Sequence, residues 1–188
     1  MIEIAESTRV VTPRGALKRM TLAVAGALLV TLGAQIALPL TPVPITFQVP
    51  AVLIVGGLLG PGLGAASLAA YLVMGALGLP VFAPGGAVGA ARLFGPTGGY
   101  LLAFPLAAAV AGRVIGDARS WLRLGLGLVG GTLVIHAGGV AQLAILGGDL
   151  AIAIRAGSLP FLVGDLVKLA VAGLLIRRVG PAMTRARS

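Results

Sequence analysis

The sequence predicts an all-α integral membrane protein, a bundle of six transmembrane helices with both termini cytoplasmic. Three observations carry this reading. Of 188 residues, 58% are hydrophobic and only 10% are charged, against about 25% charged in a soluble domain, so a soluble fold would lack ionic groups to face water. No Asp, Glu, Lys, Arg or His occurs from Met20 through Ala91, and only lipid solvates such a run. The 14 Lys and Arg outnumber the 5 Asp and Glu and gather at the ends and between apolar runs, where basic residues orient a membrane protein.

Cutting the chain at charges, prolines and glycine clusters gives spans at about 21–38, 47–59, 62–79, 99–116, 124–147 and 159–176. The first follows Arg14, Lys18 and Arg19 and superficially resembles a signal peptide. Its apolar length and the further apolar stretches behind it make it a retained span. The second is short, with Pro39, Pro42 and Pro44 before it and Pro50 in its first turn, which suits a tilted or broken helix. All six are continuously apolar and rich in Ala and Leu, whereas barrel strands alternate apolar and polar positions.

With both ends inside, the cytoplasm holds Arg9, Arg14, Lys18 and Arg19, then Arg113, Arg119 and Arg123, then Arg177, Arg178, Arg185 and Arg187. The outside holds Arg92 and Arg155, and Lys168 lies within the sixth span. This positive-inside bias favours an even number of spans. The outer connections are then 39–46, 80–98 and 148–158. Their Gly and Pro content suits loops that fold over a cavity mouth, plain connectors being the alternative. The whole chain, 1–188, reads as a single membrane domain, the first 15 residues and the last dozen being short solvated tails.

Much chemistry is excluded. There is no Cys and only one His, so thiol catalysis, disulfides and clustered metal ligands are not expected. No phosphate-cradling Gly-x-x-x-x-Gly-Lys-Ser/Thr occurs, so the chain should not itself hydrolyse ATP. The basic residues do not collect on a soluble face with aromatic partners, as nucleic-acid binding requires. His136 lacks a nucleophile poised beside it, so catalysis is not expected.

The residues left to carry function are few. Asp165 and Lys168 are three apart on the sixth span and share a helix face. Ionisable groups at such depth are costly unless paired or lining a polar cavity. A self-satisfied pair bracing the bundle is one reading; a pair awaiting a ligand with both donors and an anionic acceptor is the other. Thr46 and Gln48 sit where the first outer loop meets the second span and can point into the same cavity. Tyr71 offers a ring and a hydroxyl, although a backbone carbonyl could satisfy it. Arg92, on the outside against the charge trend, suits an anion or plain solvent. His136 and Gln142, in the fifth span, suit interhelical hydrogen bonds better than a ligand. Small residues four apart, Ala23 with Ala27, Ala108 with Gly112 and Gly116, and Gly127 with Gly131, mark close helix contacts.

Four strings occur in order: Pro42-Val43-Pro44-Ile45-Thr46-Phe47-Gln48, Tyr71 to Phe82, Gly95-Pro96-Thr97-Gly98-Gly99-Tyr100-Leu101, and Pro160-Phe161-x-x-Gly164-Asp165-x-x-Lys168. Together they resemble the BioY family, the biotin-binding S component of energy-coupling factor transporters, over roughly residues 20 to 176. The resemblance implies a multi-pass protein of the inner (plasma) membrane that captures biotin from outside. Its implied partners are a transmembrane coupling protein and two cytoplasmic ATPases; it needs no cofactor of its own, ATP being used only by those partners. It implies that Asp165 and Lys168 bind the substrate, Asp165 accepting from the ureido N–H groups and Lys168 donating to the ureido oxygen or to the carboxylate. Thr46, Gln48, Tyr71 and Arg92 complete the polar site, and Phe47 and Phe82 are expected to cover the thioether ring. The segment before Gly95, Ala90-Ala91-Arg92-Leu93-Phe94, departs from the glycine-rich form of the family and leaves the carboxylate's partner open. Ala23 and Ala27 resemble the small-residue patch that docks on the coupling protein. The same architecture serving another vitamin, or a structural membrane subunit that binds no solute, are the alternatives.

Overall fold

The computed structural model describes residues 13–38 and 43–187, with side chains through residue 184. Expectations that fall on Arg9, on Pro39 and Pro42, and on the side chains of Arg185 and Arg187 lie outside the described residues. The order is α1 (Pro13–Gln35), β1 (Ala37–Leu38), β2 (Ile45–Thr46), α2 (Gln48–Ala76), α3 (Ala91–Phe94), α4 (Gly98–Ile115), α5 (Trp121–Gly147), α6 (Leu150–Gly157), a 3-10 turn (Leu159–Phe161) and α7 (Leu162–Arg187). Among the described residues, five helical stretches are long and apolar enough to cross a membrane: α1, α2, α4, α5 and the run Leu150–Thr184. Their outward faces carry Leu28, Leu32, Leu102, Leu133, Val163 and Leu174, all exposed, as a lipid solvent permits.

The segments expected at 47–59 and 62–79 are continuous in α2, and the backbone departs from helical geometry at Gly60 (φ 78°, ψ 177°), just before Pro61. Only glycine takes that conformation at little cost. The chain turns back there. Gln48 Nε2 donates to the Tyr71 hydroxyl at 2.6 Å, although a straight helix would separate these residues by about 35 Å. A Cβ on Gly64 would lie 3.0 Å from the Gly56 Cα. The two arms, 48–59 and 61–76, thus run antiparallel.

Close packing at glycine holds the arms to their neighbours. The position of a Cβ on Gly56 is filled by the Ala108 backbone of α4. A Cβ on Gly112 would meet the Gly56 oxygen at 2.5 Å and the Pro61 nitrogen at 2.8 Å. A Cβ on Gly127 or Gly131 of α5 would lie 3.1 Å from the Ala111 or Ala107 carbonyl oxygen, respectively. The small-residue spacing at Ala108, Gly112, Gly127 and Gly131 therefore does mark close helix contacts.

Several expected boundaries need correction. The first helix starts at Pro13 and stops at Gln35, because residues 37–38 pair antiparallel with 45–46 as a small ribbon. The connection expected at 148–158 contains α6, capped by the Asp149 carboxylate on the Ile152 N–H at 2.9 Å. The expected C-terminal tail continues α7 to Arg187. Ala27, expected on a docking surface, is fully buried and Ala23 is half-buried. The lack of a bulky side chain at Ala27 serves the packing of α1 on α2.

The bundle has two unlike ends. At one, residues of the first two expected outer connections line one cavity, the Gly157 carbonyl of the third accepts from Tyr100 in its wall, and Gln35 at the end of α1 reaches the Phe82 carbonyl at 3.3 Å. At the other, Arg123 donates from Nε to the Val114 carbonyl at 2.9 Å, Arg177 donates to the Arg119 carbonyl, and the Arg177 guanidinium lies 4.2 Å from the Trp121 ring centroid.

Gly112→Ala drives a methyl into backbone atoms that have nowhere to go, and should lower stability by about 1–3 kcal/mol. Gly125→Ala meets nothing within 4 Å and should be neutral or stabilising by up to about 1 kcal/mol. Thermal unfolding in detergent measures both; equal melting temperatures for the two variants would contradict this packing.

Candidate functional site

The site is assembled at the start of α7. Pro160 sits in the 3-10 turn, α7 begins at Leu162, and Asp165 falls in the helix's first turn. There the helix dipole favours a carboxylate. One turn on, Lys168 projects from the same face. Both side chains are buried, at 4% and 9% exposure.

The two do not simply neutralise each other. Lys168 Nζ stands 3.5 Å from Asp165 Oδ1, at the edge of hydrogen bonding, and donates at 3.0 Å to the Thr46 carbonyl. Asp165 has its closer partner on α5, where His136 Nε2 lies 2.9 Å from Oδ2. Three separate segments of the chain, the β2–α2 junction, α5 and α7, thus meet on one ion pair. His136, expected to make an interhelical hydrogen bond, does so and also lines the cavity.

That cavity is concave and partly open to solvent. Its wall is mostly apolar, with Phe82, Phe104, Ile135 and Phe161 among the lining residues. The polar groups are Thr46, Gln48, Arg92, Thr97, Tyr100, His136, Asp165 and Lys168. Among the described residues, no group of three or more His, Cys, Asp or Glu is placed to hold a metal.

Arg92 reaches the cavity from the connection between α2 and α4. It lies in α3, within the long outer connection, and is 6% exposed. One terminal nitrogen donates to the Ala83 carbonyl at 3.1 Å, while Nε is buried without a partner. Gly86 leaves the space that the guanidinium occupies, since a Cβ there would coincide with it. Burial pushes the Arg92 guanidinium below its ordinary pKa, because desolvation penalises the charged form; an anion arriving beside it offsets that penalty. Gln142 on α5 pins the same segment, donating from Nε2 to the Leu93 carbonyl at 3.0 Å and to the Gly95 carbonyl at 2.6 Å.

Of the residues singled out in the sequence, Asp165, Lys168, Thr46, Gln48, Arg92 and Phe82 come together around the cavity. Tyr71 stands one layer behind. Phe47 departs from expectation: it is 48% exposed and outside the lining, with Lys168 Nζ 5.8 Å from its ring centroid. Thr46 and Gln48 both point inward, and the residue between them at the strand-to-helix junction is turned the other way. The sequence reading passed over Tyr100, Phe104, Ile135 and Phe161. Tyr100 and Phe161 lie within the quoted strings, but apolar lining has no local signature in a chain that is apolar throughout.

The family model described as "BioY family" matches residues 6–185. A relative from Pyrococcus horikoshii, named "Probable biotin transporter BioY", is 44% identical over 152 residues, covering 80% of this chain and 89% of its own. A relative from Thermotoga maritima, named "Biotin transporter BioY", is 42% identical over 151 residues, with the same shares covered. Among solved structures, the S-component for biotin from an ECF-type ABC transporter matches with a TM-score of 0.78 and 28% identity, over 89% of this chain and 93% of that one.

Behind the lining, Gln48 links three elements: its amide donates to the Tyr71 hydroxyl, which donates to the Val81 carbonyl at 3.1 Å, and Thr46 Oγ1 donates to Gln48 Oε1 at 3.2 Å. Tyr71 is fully buried and meets Phe82 edge-on at 5.4 Å. Tyr71→Phe removes only the hydroxyl yet strands the Gln48 donor and the Val81 acceptor, so stability should fall by about 1–3 kcal/mol. Thermal unfolding in detergent measures this, and an unchanged melting temperature would show that the chain of bonds carries no weight.

Proposed function

Because the chain belongs to the BioY family, we propose that it captures biotin from outside the cell and releases it inward, as the substrate-binding component of an ATP-driven energy-coupling factor transporter. It is a transport component and not an enzyme. One observation supports the assignment most: the cavity between the outer connections and α7 is walled by apolar side chains but carries two cations, Lys168 and Arg92, against one anion, Asp165. The surplus positive charge suits a monocarboxylate, and the apolar wall suits its rings and alkyl tail.

In this reading the fused rings lie at the α7 end. Asp165 accepts from the ureido N–H groups, and Lys168 shifts from its long contact with Asp165 to the ureido oxygen. The ammonium already holds the Thr46 carbonyl, so the acid at the other end of the ligand falls to Arg92, whose Nε has no protein partner. Phe82 and Phe161 cover the rings, while Thr46, Gln48 and Tyr71 hold the entrance in shape.

The topology that goes with this function is six crossings, the two arms of α2 counting as two, within one membrane domain. Both termini are cytoplasmic in the inner (plasma) membrane. The alternation of the connections between the two ends supports it, with the basic residues Arg119, Arg123 and Arg177 at the end away from the cavity. The energising partners are a transmembrane coupling protein and two ATPases. ATP is their substrate, and this chain needs no cofactor of its own.

Labelled biotin should bind the purified protein, and Asp165→Ala should weaken binding by roughly 2–5 kcal/mol, on the order of 30-fold to several-thousand-fold, as loss of one partner from a buried charge pair does. Unchanged affinity would remove Asp165 from the site, and displacement by an unrelated vitamin in preference to biotin would reassign the substrate. Arg92→Gln should weaken biotin but leave biotin amide, which lacks the negative charge, nearly unaffected. An equal loss for both ligands would move the carboxylate away from Arg92.

A further inference from the structure

We propose that His136 is a positioning residue of the substrate site: its Nε2–H fixes one oxygen of Asp165, so that the other is presented to the ligand's N–H donors. The inference rests on the biotin reading above and deepens it. Asp165 alone, one turn from a lysine, could rotate its carboxylate toward the ammonium and close the pair on itself. The geometry is otherwise. Oδ2 is taken at 2.9 Å by His136, and Oδ1 is left at 3.5 Å from Lys168, too far for a strong bond. One oxygen is committed and the other is available.

The imidazole is itself held. Its ring centroid stands 6.4 Å from Tyr100, nearly perpendicular at 77°, and 6.2 Å from Phe161. Gly139, one turn along α5, leaves the room that the Tyr100 ring fills. The hydroxyl of Tyr100 in turn donates to the Gly157 carbonyl at the end of α6.

The remaining ring nitrogen says which form of His136 this is. Nδ1 is buried and has no hydrogen-bond partner. A proton there would be a buried donor with no acceptor, whereas a bare lone pair is the smaller penalty. The neutral ring with its proton on Nε2 satisfies both facts. A neutral His136 adds no third charge to the corner, so Asp165 and Lys168 remain a balanced pair for an uncharged ureido group to enter.

The test is the rank order of biotin binding among purified variants at position 136. His136→Gln keeps an amide N–H near the position of Nε2 and should bind within about threefold of the wild type. His136→Phe keeps the ring but has no donor, and His136→Asn has a donor too short to reach Asp165. Both should lose about 10- to 100-fold, the range of a hydrogen bond to a charged group. A role in packing alone predicts the reverse order, with Phe tolerated and both amides impaired. Wild-type affinity in His136→Phe, or equal loss in His136→Gln and His136→Asn, overturns the inference. Failure of the wild type to bind biotin overturns the functional reading and this inference with it, whereas binding with the wrong rank order overturns this inference alone.

Discussion

The structure depends on keeping one carboxylate and one ammonium charged inside a bundle that is otherwise apolar. Each charge removed from water costs several kcal/mol unless polar partners replace the solvent. The partners come from across the fold. Asp165 is met by His136 from α5 and by Lys168 one turn along its own helix, and Lys168 is met by the backbone of Thr46. The ion pair is therefore also a junction, and α5, α7 and the β2–α2 segment are fixed relative to one another by the groups that receive the ligand.

The remaining architecture serves that junction. The reversal at Gly60 brings Gln48 and Tyr71 side by side, and the two anchor the segment whose Thr46 carbonyl holds Lys168. Glycine contacts along α2, α4 and α5 bring the backbones close enough to exclude lipid from the interior without bulky side chains. Gln142 and Gly86 set the segment that carries Arg92. Two cationic groups therefore approach one cavity from different supports, Lys168 on a helix and Arg92 on a connecting loop.

Much of this was legible from the sequence because lipid leaves few options. A long uncharged run must be helical and must span, and the only acid and base inside such a run must find partners. Asp165 and Lys168 were singled out on those grounds, Thr46 and Gln48 as polar side chains where the first outer loop meets the second span, and the family resemblance supplied the expected ligand. What escaped is instructive. Phe47 was expected inward, but side-chain direction at a strand-to-helix junction is set by backbone geometry that composition does not encode. Ala27 was placed on a docking patch by the family resemblance, whereas its small-residue spacing marked a close helix contact, and it is that contact which buries it. By contrast, the cut that separated 47–59 from 62–79 does fall where α2 turns back on itself at Gly60. His136 was recognised as a hydrogen-bonding residue, but its partner lies 29 positions away, a pairing that no local pattern reveals.

The central claim is that the buried acid and base on α7 receive the polar rings of a bicyclic carboxylic acid. The most direct measurement is a structure of the protein with biotin bound. The account predicts the ureido group within hydrogen-bonding distance of Asp165 and Lys168, and the tail directed toward Arg92. Density for the ligand elsewhere in the bundle, or with its ring nitrogens away from Asp165, would contradict it.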